Sequence, residues 1–166
     1  VPSFQHVERG QMIGTLKIIP FAISGSVMTK IESFASVHQS LFNLTPYVKK
    51  TVTLIQTGLT TTKASVLDST AKVTTERLKM MDAVLFNEKR CNHSENELSS
   101  ELCTAITAKP DIILIAGASA IVDRRDIVPS AIQSVGGEII HFGMPVDPGN
   151  LILIASLKGT PVVGIP

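Results

Sequence analysis

A run of small residues followed by paired charges is the feature of this sequence with the clearest chemical meaning. Gly117-Ala118-Ser119-Ala120 precedes the cluster Asp123-Arg124-Arg125-Asp126, and Pro129 stands where a helical pattern opens. Small side chains let a backbone approach an anion such as phosphate closely, and the N–H groups of a helix N-terminus favour negative charge. The pattern is typical of a loop that binds the anionic part of a ligand.

Short apolar runs that alternate with helical patterns must position this loop. Ile112–Ala116 is a five-residue apolar run that Gly117 cuts off, which indicates a buried strand. From Thr51 onward the order is strand, helix, strand, helix, strand, helix, strand, hairpin. This order predicts an α/β fold of three layers, α/β/α, with a mostly parallel sheet. The loop would then follow the carboxyl end of a strand, where open α/β sheets bind ligands.

Periodicity and capping residues place the other elements along the chain. The predicted strands cover residues 51–55, 83–86, 112–116, 139–140, 151–155 and 161–165. An amphipathic helix is predicted over residues 67–81, and a capping box at Ser94 and Glu97 begins the next helix. Gly136-Gly137 is expected to end the helix that follows the charged cluster.

Further polar groups allow more than one interpretation. Asp68-Ser69-Thr70 could cap a helix or form a polar trio that faces a ligand above the sheet, and the pattern favours capping. Cys91 and His93 lie two residues apart in a predicted loop without a second ligand pair, so they predict no metal site. His93 is then a surface histidine near the ligand. His38, on the apolar face of a helix, is predicted to be packed or partly exposed rather than a ligand.

Composition and charge exclude several classes of function. The chain has 166 residues, of which 44% are hydrophobic, so it can bury a sizeable core. A formal net charge of +1 gives no electrostatic argument for nucleic acid or for a membrane surface as a partner. No apolar run reaches the roughly 20 residues of a membrane span. Two cysteines without a CxxC spacing fit reduced thiols and predict a cytoplasmic protein.

Two parts of different character are expected along the chain. Residues 1–48 are predicted to be the tail of a preceding region, made of an extended segment or hairpin arm at residues 12–23 and a helix that starts at Ser24-Gly25-Ser26. Residues 49–166 are predicted to be the main domain. Its last residues resemble a strand that enters a loop, so we expect this domain to be truncated at its C-terminus.

The main domain carries a family resemblance in three motifs. ILIAGASAIVDRRDIVPSAI resembles the TGGTGxxxRDxTPEA signature of the molybdopterin-binding fold of MoaB/Mog-type proteins and of the third domain of MoeA. FGMPVDPGNLILIASLKGTPVVGIP is similar to the MoeA pattern of a strand, an MxPGKP loop, a β-hairpin and a GLPGNP loop. VTLIQTG with Asp68-Ser69 is similar to the first strand, Thr-Gly turn and Asp-Ser-Asn element of the same family. The resemblance spans residues 49–166.

Three phrases also resemble a narrower group of proteins. IVDRRD, HFGMPVDPGN and MIGTLKIIPFA are similar to multi-domain proteins in which a molybdopterin-binding domain precedes a domain like the molybdenum cofactor cytidylyltransferases. This resemblance implies a fused or partner nucleotidyltransferase.

The resemblance implies which residues contact the ligand. The implied molybdopterin contacts are Thr57, Gly58, Asp68, Gly117, Ala118, Ser119, Ala120, Arg125, Asp126, Pro145, Asp147 and Gly149. Asp126 is implied to be the key acidic residue, catalytic and a ligand of Mg²⁺ in relatives that adenylate. Arg124 or Arg125 could pair with the phosphate, or both could form an exposed ion-pair cluster with Asp123 and Asp126.

Departures from the family motifs argue against adenylyl transfer. The GGTG run is replaced by Gly117-Ala118-Ser119-Ala120, so positions that could take positive φ carry a Cβ. Val128 replaces the threonine before proline, which removes a hydroxyl that could cap a helix. MxPGKP has become MPVDPGN, which adds the carboxylate of Asp147 and loses a basic residue. These changes leave ligand binding intact.

Three hypotheses about function remain open. The first is a domain that binds molybdopterin or the molybdenum cofactor and presents it to a nucleotidyltransferase domain or partner. The second is an enzyme, either a Mg²⁺-dependent adenylyltransferase that also binds a nucleotide or a nucleotide pyrophosphatase. The third is a degenerate copy that has lost its ligand and serves oligomerisation. A homo-oligomer is expected in each case.

Overall fold

The computed structural model describes residues 1–15, 17, 19–37 and 42–165. The chain divides into two compact units, Val1–Thr45 and Pro46–Pro166. Each unit is compact in itself.

Among its described residues, the first unit forms one helix, α1, at Gly25–Val37. The predicted helix start at Ser24-Gly25-Ser26 is confirmed, and α1 buries none of its residues. No strand is present among the described residues of the 12–23 segment, so the predicted hairpin arm is wrong for that part. Pro20 cannot donate a backbone N–H to a neighbouring strand, which disfavours pairing there. His38 lies outside the described residues.

The second unit alternates strands and helices as the sequence predicts. Its strands are β1 at Lys50–Gly58, β2 at Ala83–Asn92, β3 at Ile112–Ala116, β4 at Glu138–Phe142, β5 at Leu153–Leu157 and β6 at Thr160–Ile165. Its helices are α2 at Ala64–Met80, α3 at Glu95–Thr107 and α4 at Ile127–Ser134. The predicted α/β class is confirmed.

One six-stranded sheet, in the order β2-β1-β3-β6-β5-β4, forms the middle layer. β1 pairs in parallel with β2 and β3, and β3 pairs in parallel with β6. β5 runs antiparallel to both β4 and β6. The sheet is therefore mostly parallel, and the carboxyl ends of β1, β2, β3 and β6 meet at one edge.

Helices cover both faces of the sheet, which gives the predicted three layers. α3 and α4 pack together on one face, over Ile55, Ile113 and Ile115. α2 packs on the other face, where Leu78 joins Val52 in a smaller apolar cluster. Alternate residues of β1 thus point to opposite layers, as the two-residue period of a strand requires.

β1 and β2 are longer than predicted, and the difference matters for the site. β1 continues to Gly58, so Thr57 and Gly58 belong to the strand and not to a turn after it. β2 continues through Asn92, because Arg90, Cys91 and Asn92 pair with the end of β1. Their polar side chains suggested a loop, but pairing with a central strand overrides that local preference.

Capping interactions fix where the helices after β2 and β3 begin and end. Ser94 is the N-cap of α3, and its Oγ accepts a hydrogen bond from the Glu97 N–H at 3.4 Å. The Glu97 carboxylate does not close the capping box; it accepts from the Asn92 N–H and Nδ2 at 2.8 and 2.7 Å. Gly136-Gly137 ends α4 as predicted, with φ of +83° at Gly136.

Candidate functional site

A cleft of about 460 Å³ opens at the sheet edge where β1 and β3 end. It lies between the start of α2 and the loop after β3. Its lining consists of Gln56, Thr57, Thr61, Thr62, Lys63, Val66, Leu67, Thr70, Ala116, Gly117 and Ala118. The volume falls within the range of about 300 to 1,000 Å³ that is usual for small-molecule sites. Of the twelve contacts implied by the family resemblance, the cleft contains Thr57, Gly117 and Ala118.

The N-terminus of α2 gives the cleft its positive character. Lys63 is the N-cap residue, with φ of −71° and ψ of 137°, and its side chain makes no capping hydrogen bond. The first turn of α2 also contains no acidic residue. The first backbone N–H groups of a helix carry partial positive charge, and Lys63 adds the one formal charge within this lining. This wall of the cleft suits an anion.

Gln56 supplies an acceptor to the same lining. It is 1% exposed, and its Nε2 donates to Leu67 O at 3.0 Å and to Glu88 Oε1 at 2.7 Å. Both partners are acceptors, so the amide cannot be flipped. Gln56 Oε1 is buried and has no hydrogen-bond partner among the described residues. A buried acceptor without a donor costs about 1–3 kcal/mol, so a donor from a ligand would stabilise this position.

Thr57, His93 and Ser119 connect three strand ends through hydrogen bonds. Thr57 Oγ1 lies 2.7 Å from His93 Nδ1, and His93 Nε2 lies 2.9 Å from Ser119 Oγ. Thr57 Oγ1 also accepts the Ala118 N–H at 2.9 Å. The backbone N–H of His93 donates to Gly58 O at 2.8 Å, which ties the end of β2 to the end of β1. Thr57 and Ser119 were predicted site residues; His93 was predicted only as a nearby surface histidine.

The loop after β3 needs a glycine at its first position only. A Cβ on Gly117 would lie 2.9 Å from Ser119 O, so the loop closes tightly at that residue. Ala118 tolerates a Cβ, and its N–H is already bound by Thr57. Ser119 and Ala120 are exposed, beyond the lining of the cleft.

Asp126 makes hydrogen bonds within its own loop. Its Oδ2 accepts the N–H groups of Val122 and Asp123 at 2.7 and 2.9 Å, so the carboxylate holds the turn that precedes α4. Asp126 is the N-cap residue of α4 but makes no side-chain capping bond. It is not part of the cleft lining. The described residues also contain no group of three or more His, Cys, Asp or Glu that could hold a metal ion.

The arginines of the charged cluster do not form the predicted ion pairs. No salt bridge joins Arg124 or Arg125 to Asp123 or Asp126, all of which are described. The Arg124 guanidinium lies 5.6 Å from the centre of the Phe142 ring, a cation–π contact. The Arg125 N–H donates to Asp123 Oδ1 at 2.7 Å. The ion-pair interpretation is wrong, because the carboxylates bind backbone N–H groups instead.

Asp68 faces β2 rather than the cleft. It is the fifth residue of α2, so it does not cap that helix, and the capping interpretation is wrong. Arg90 Nη2 contacts Asp68 Oδ1 at 2.7 Å, and Arg90 Nε contacts Glu88 Oε1. These two hydrogen bonds raise the pKa of Arg90, with the Glu88 bond the larger cause. Of the predicted polar trio, Thr70 alone lines the cleft.

The loop after β4 lies apart from the cleft. Pro145, Asp147 and Gly149 are absent from its lining. β6 and β5 stand between β3 and β4 in the sheet, and the loop after β3 reaches the end of β4 only farther along, where Arg124 lies over Phe142. The structure does not bring these three predicted contacts to the cleft.

Both cysteines are free, as predicted. Burial, with smaller contributions from Glu101 and Glu97, raises the pKa of the Cys91 thiol to about 11. A thiol with that pKa is protonated at neutral pH and is a poor metal ligand.

Comparison with known proteins confirms the fold. No family model and no curated protein matches the sequence. A molybdenum cofactor biosynthesis protein B structure is 13% identical over 74% of this chain and 81% of its own, with a TM-score of 0.51. The CinA protein of unknown function from Thermoplasma acidophilum is 12% identical over 71% and 88%, with a TM-score of 0.51.

The chain has the fold of molybdenum cofactor biosynthesis protein B and of the CinA protein. The molybdopterin biosynthesis MoeA protein of Pyrococcus horikosii is 20% identical over 71% of this chain, with a TM-score of 0.49. This chain spans 30% of the length of that protein. The predicted MoaB/Mog-like fold is confirmed. No helix in the described part of the chain has the length and apolar character needed to cross a membrane.

Proposed function

We propose that the cleft binds molybdopterin or the molybdenum cofactor during molybdenum cofactor biosynthesis, and that the domain presents this ligand to a nucleotidyltransferase domain or partner. The main support for this proposal is the cleft, which opens between the uncapped N-terminus of α2 and the loop after β3. The shared fold with molybdenum cofactor biosynthesis protein B supports the choice of pathway.

The polar groups of the cleft match the chemistry of this ligand. Molybdopterin carries a phosphate and a pterin whose ring edge has N–H donors. The phosphate suits the positive wall formed by Lys63 and the first turn of α2. Gln56 lines the same cleft, and its Oε1 is a buried acceptor with no partner among the described residues.

One carboxylate oxygen of Asp126 is bound by two backbone N–H groups. Of the three hypotheses we propose ligand binding, and adenylyl transfer with Mg²⁺ at Asp126 stays a prediction from the family resemblance. The homo-oligomer and the cytoplasmic location stay predictions.

Titration calorimetry with purified molybdopterin tests this function. A Thr70→Trp variant places a large ring in the cleft from a half-buried helix position, and we expect affinity to fall more than about tenfold. Thr104→Trp is the matched control, because Thr104 is exposed on α3, which covers the other face of the sheet. Unchanged affinity in Thr70→Trp, or no binding by the unmodified chain, would contradict the proposal.

The positive wall gives a second, graded test. Lys63→Gln removes the one charge of the cleft lining, and we expect affinity to fall about fivefold, or roughly 1 kcal/mol. Lys72→Gln is the control, because Lys72 is an exposed residue of α2 that does not line the cleft. Equal affinities for the two variants would mean that the anion does not bind at this wall.

A further inference from the structure

We infer that His93 is a positioning residue that, held by Thr57, presents the Ser119 hydroxyl as a hydrogen-bond donor to a phosphate group of the bound ligand. This rests on the proposed function, because the phosphate belongs to the same ligand. The sequence pattern does not indicate this role for His93. The hydrogen bonds of its ring indicate it.

The first step follows from the buried hydroxyl of Thr57. Thr57 is 2% exposed, and its Oγ1 already accepts the Ala118 N–H. The hydroxyl hydrogen of Thr57 therefore needs an acceptor inside the protein, because an unpaired buried donor is unfavourable. His93 Nδ1, at 2.7 Å, is the partner that the structure gives it. Nδ1 is then the acceptor nitrogen of the ring.

The second step assigns the proton on the other ring nitrogen. A neutral imidazole with an acceptor Nδ1 carries its hydrogen on Nε2. This tautomer is assigned from the hydrogen-bond network. His93 Nε2 lies 2.9 Å from Ser119 Oγ and donates to it. Ser119 Oγ accepts that bond, so its own hydrogen is available to a third group.

The third step concerns what the Ser119 hydrogen can reach. Ser119 is exposed and directly follows Ala118, which lines the cleft. Ser119 Oγ makes no other side-chain hydrogen bond within the described residues. A donor at the open end of a cleft with a positive wall is suited to an oxygen that only accepts, such as that of a phosphate. The same tautomer makes Nε2 a donor, so His93 does not act as a base toward Ser119.

The ring is held in place independently of the ligand. The His93 N–H donates to Gly58 O, and the next residue, Ser94, is the N-cap of α3. Backbone bonds on both sides thus fix the position of the imidazole between β1 and α3. A preorganised donor loses little conformational freedom when the ligand binds.

The test is an NMR titration of the intact chain with inorganic phosphate, at about pH 8 so that histidine is neutral. Long-range proton–nitrogen spectra of the ring should show the hydrogen on Nε2, and phosphate should shift the His93 nitrogens in a saturable way. We expect Ser119→Ala and His93→Leu each to weaken phosphate binding about tenfold. His93→Gln, which keeps a donor near the position of Nε2, should stay within about threefold of the unmodified chain.

Coupling between the two residues separates positioning from a merely structural role. The double variant Ser119→Ala with His93→Leu should bind phosphate no more weakly than Ser119→Ala alone, since both changes remove the same donor. Additive losses, a hydrogen on Nδ1, or a phosphate response that survives Ser119→Ala would each overturn the inference. Phosphate binding with this pattern but no molybdopterin binding would instead contradict the proposed function alone.

Discussion

Asp111 fastens the amino ends of two neighbouring strands. Its Oδ2 accepts the Thr51 N–H and Oγ1–H, each at 2.8 Å, and its Oδ1 accepts from Lys50 Nζ at 3.0 Å. Its own N–H donates to Thr51 O at 2.9 Å. Hydrogen bonds from Thr51, then from Lys50, lower the pKa of this carboxyl to about 2. A single side chain thus joins the start of β1 to the residue that precedes β3.

This lowered pKa predicts how stability changes in acid. A carboxyl whose pKa is lower in the folded chain stabilises it above the unfolded pKa of about 3.9, and this contribution is lost as pH falls toward about 2. Asp111→Asn should therefore be less stable than the unmodified chain at pH 7, and the difference should shrink between about pH 4 and pH 2. Urea unfolding midpoints measured across that range give the comparison.

A suitable control for this prediction is Asp82→Asn. Asp82 is exposed, and its φ of 53° is a conformation that asparagine also adopts. Its stability should follow that of the unmodified chain at every pH. A difference between Asp111→Asn and the unmodified chain that does not vary with pH would show that the carboxylate charge is unimportant.

At the scale of single residues, the sequence predicted positions better than roles. The family resemblance implied Thr57 and Ser119 as ligand contacts; Thr57 lies near the carboxyl end of β1, and Ser119 lies in the loop after β3. Asp126 as a metal ligand stays a prediction from the resemblance, and the structure adds that one oxygen of its carboxylate accepts from two backbone N–H groups. Gln56 and His93 were not predicted as site residues, because their importance comes from side-chain directions that no local pattern encodes.

At the scale of elements, the end of α4 uses two adjacent glycines for different reasons. Gly136 has φ of +83° and open space around its Cα. Gly137 lacks that unusual φ, but a Cβ there would lie 2.6 Å from Ile132 Cγ2 and 2.8 Å from Ile132 O. The N–H of Gly137 donates to Ile132 O at 2.8 Å, which closes the helix end in a Schellman motif. One glycine supplies backbone freedom, and the other supplies room.

Substitutions should separate these two requirements. Gly136→Asn should cost about 1 kcal/mol or less, because asparagine tolerates positive φ. Gly137→Ala should cost about 1–3 kcal/mol, because the new methyl group overlaps Ile132 and must displace it. Denaturant unfolding of both variants measures the difference. If Gly136→Asn proved the more destabilising change, the space around Gly137 would not be limiting.

Strands were predictable from the sequence where apolar residues repeat. They were less predictable where pairing with a neighbouring strand determines how far a strand extends. The strand at Ile112–Ala116 was predicted at its observed bounds because all of its residues are apolar. The polar half of β2, from Asn87 onward, was taken as a loop, although it pairs with β1 up to Gly58. Backbone pairing with a central strand is a long-range interaction, and local composition does not report it.

At the scale of the whole molecule, all of the buried apolar core lies in the second unit. Every residue of both apolar clusters falls between residues 52 and 162. Helix α1 of the first unit has no buried residue. Buried apolar side chains therefore stabilise the second unit, whereas helix α1 of the first unit contributes none.

A fragment of residues 46–166 should fold on its own. Both apolar clusters remain complete in it, so we expect a single cooperative thermal transition and unchanged affinity for molybdopterin. Circular dichroism and calorimetry of the fragment beside the full chain provide the measurement. A fragment that starts at residue 64, and so lacks β1, is the control and should not fold, because β1 pairs with both β2 and β3. Loss of cooperativity in the longer fragment would mean that residues 1–45 contribute to its core.

The overall fold was predictable because three motifs occurred in the right order along the chain. Sequence identities of 12% and 13% to proteins of the same fold are too low for whole-chain similarity to have indicated it. The position of the loop after β4 was not predictable in this way. The place of β4 in the sheet depends on the strand order, in which β5 and β6 are inserted between β3 and β4.

The hydrogen bonds of Asp111 lie at the amino ends of β1 and β3. The hydrogen-bonded residues Thr57, His93 and Ser119 lie toward the carboxyl ends of the same strands. Thr51 and Thr57 are six positions apart, which is roughly 20 Å along a strand. Residues that far apart contribute independently to the free energy of folding. Mutations can therefore accumulate at one end without a penalty at the other. Because of this separation, substitutions at the carboxyl ends of the strands can change which ligand the domain binds while the fold is maintained.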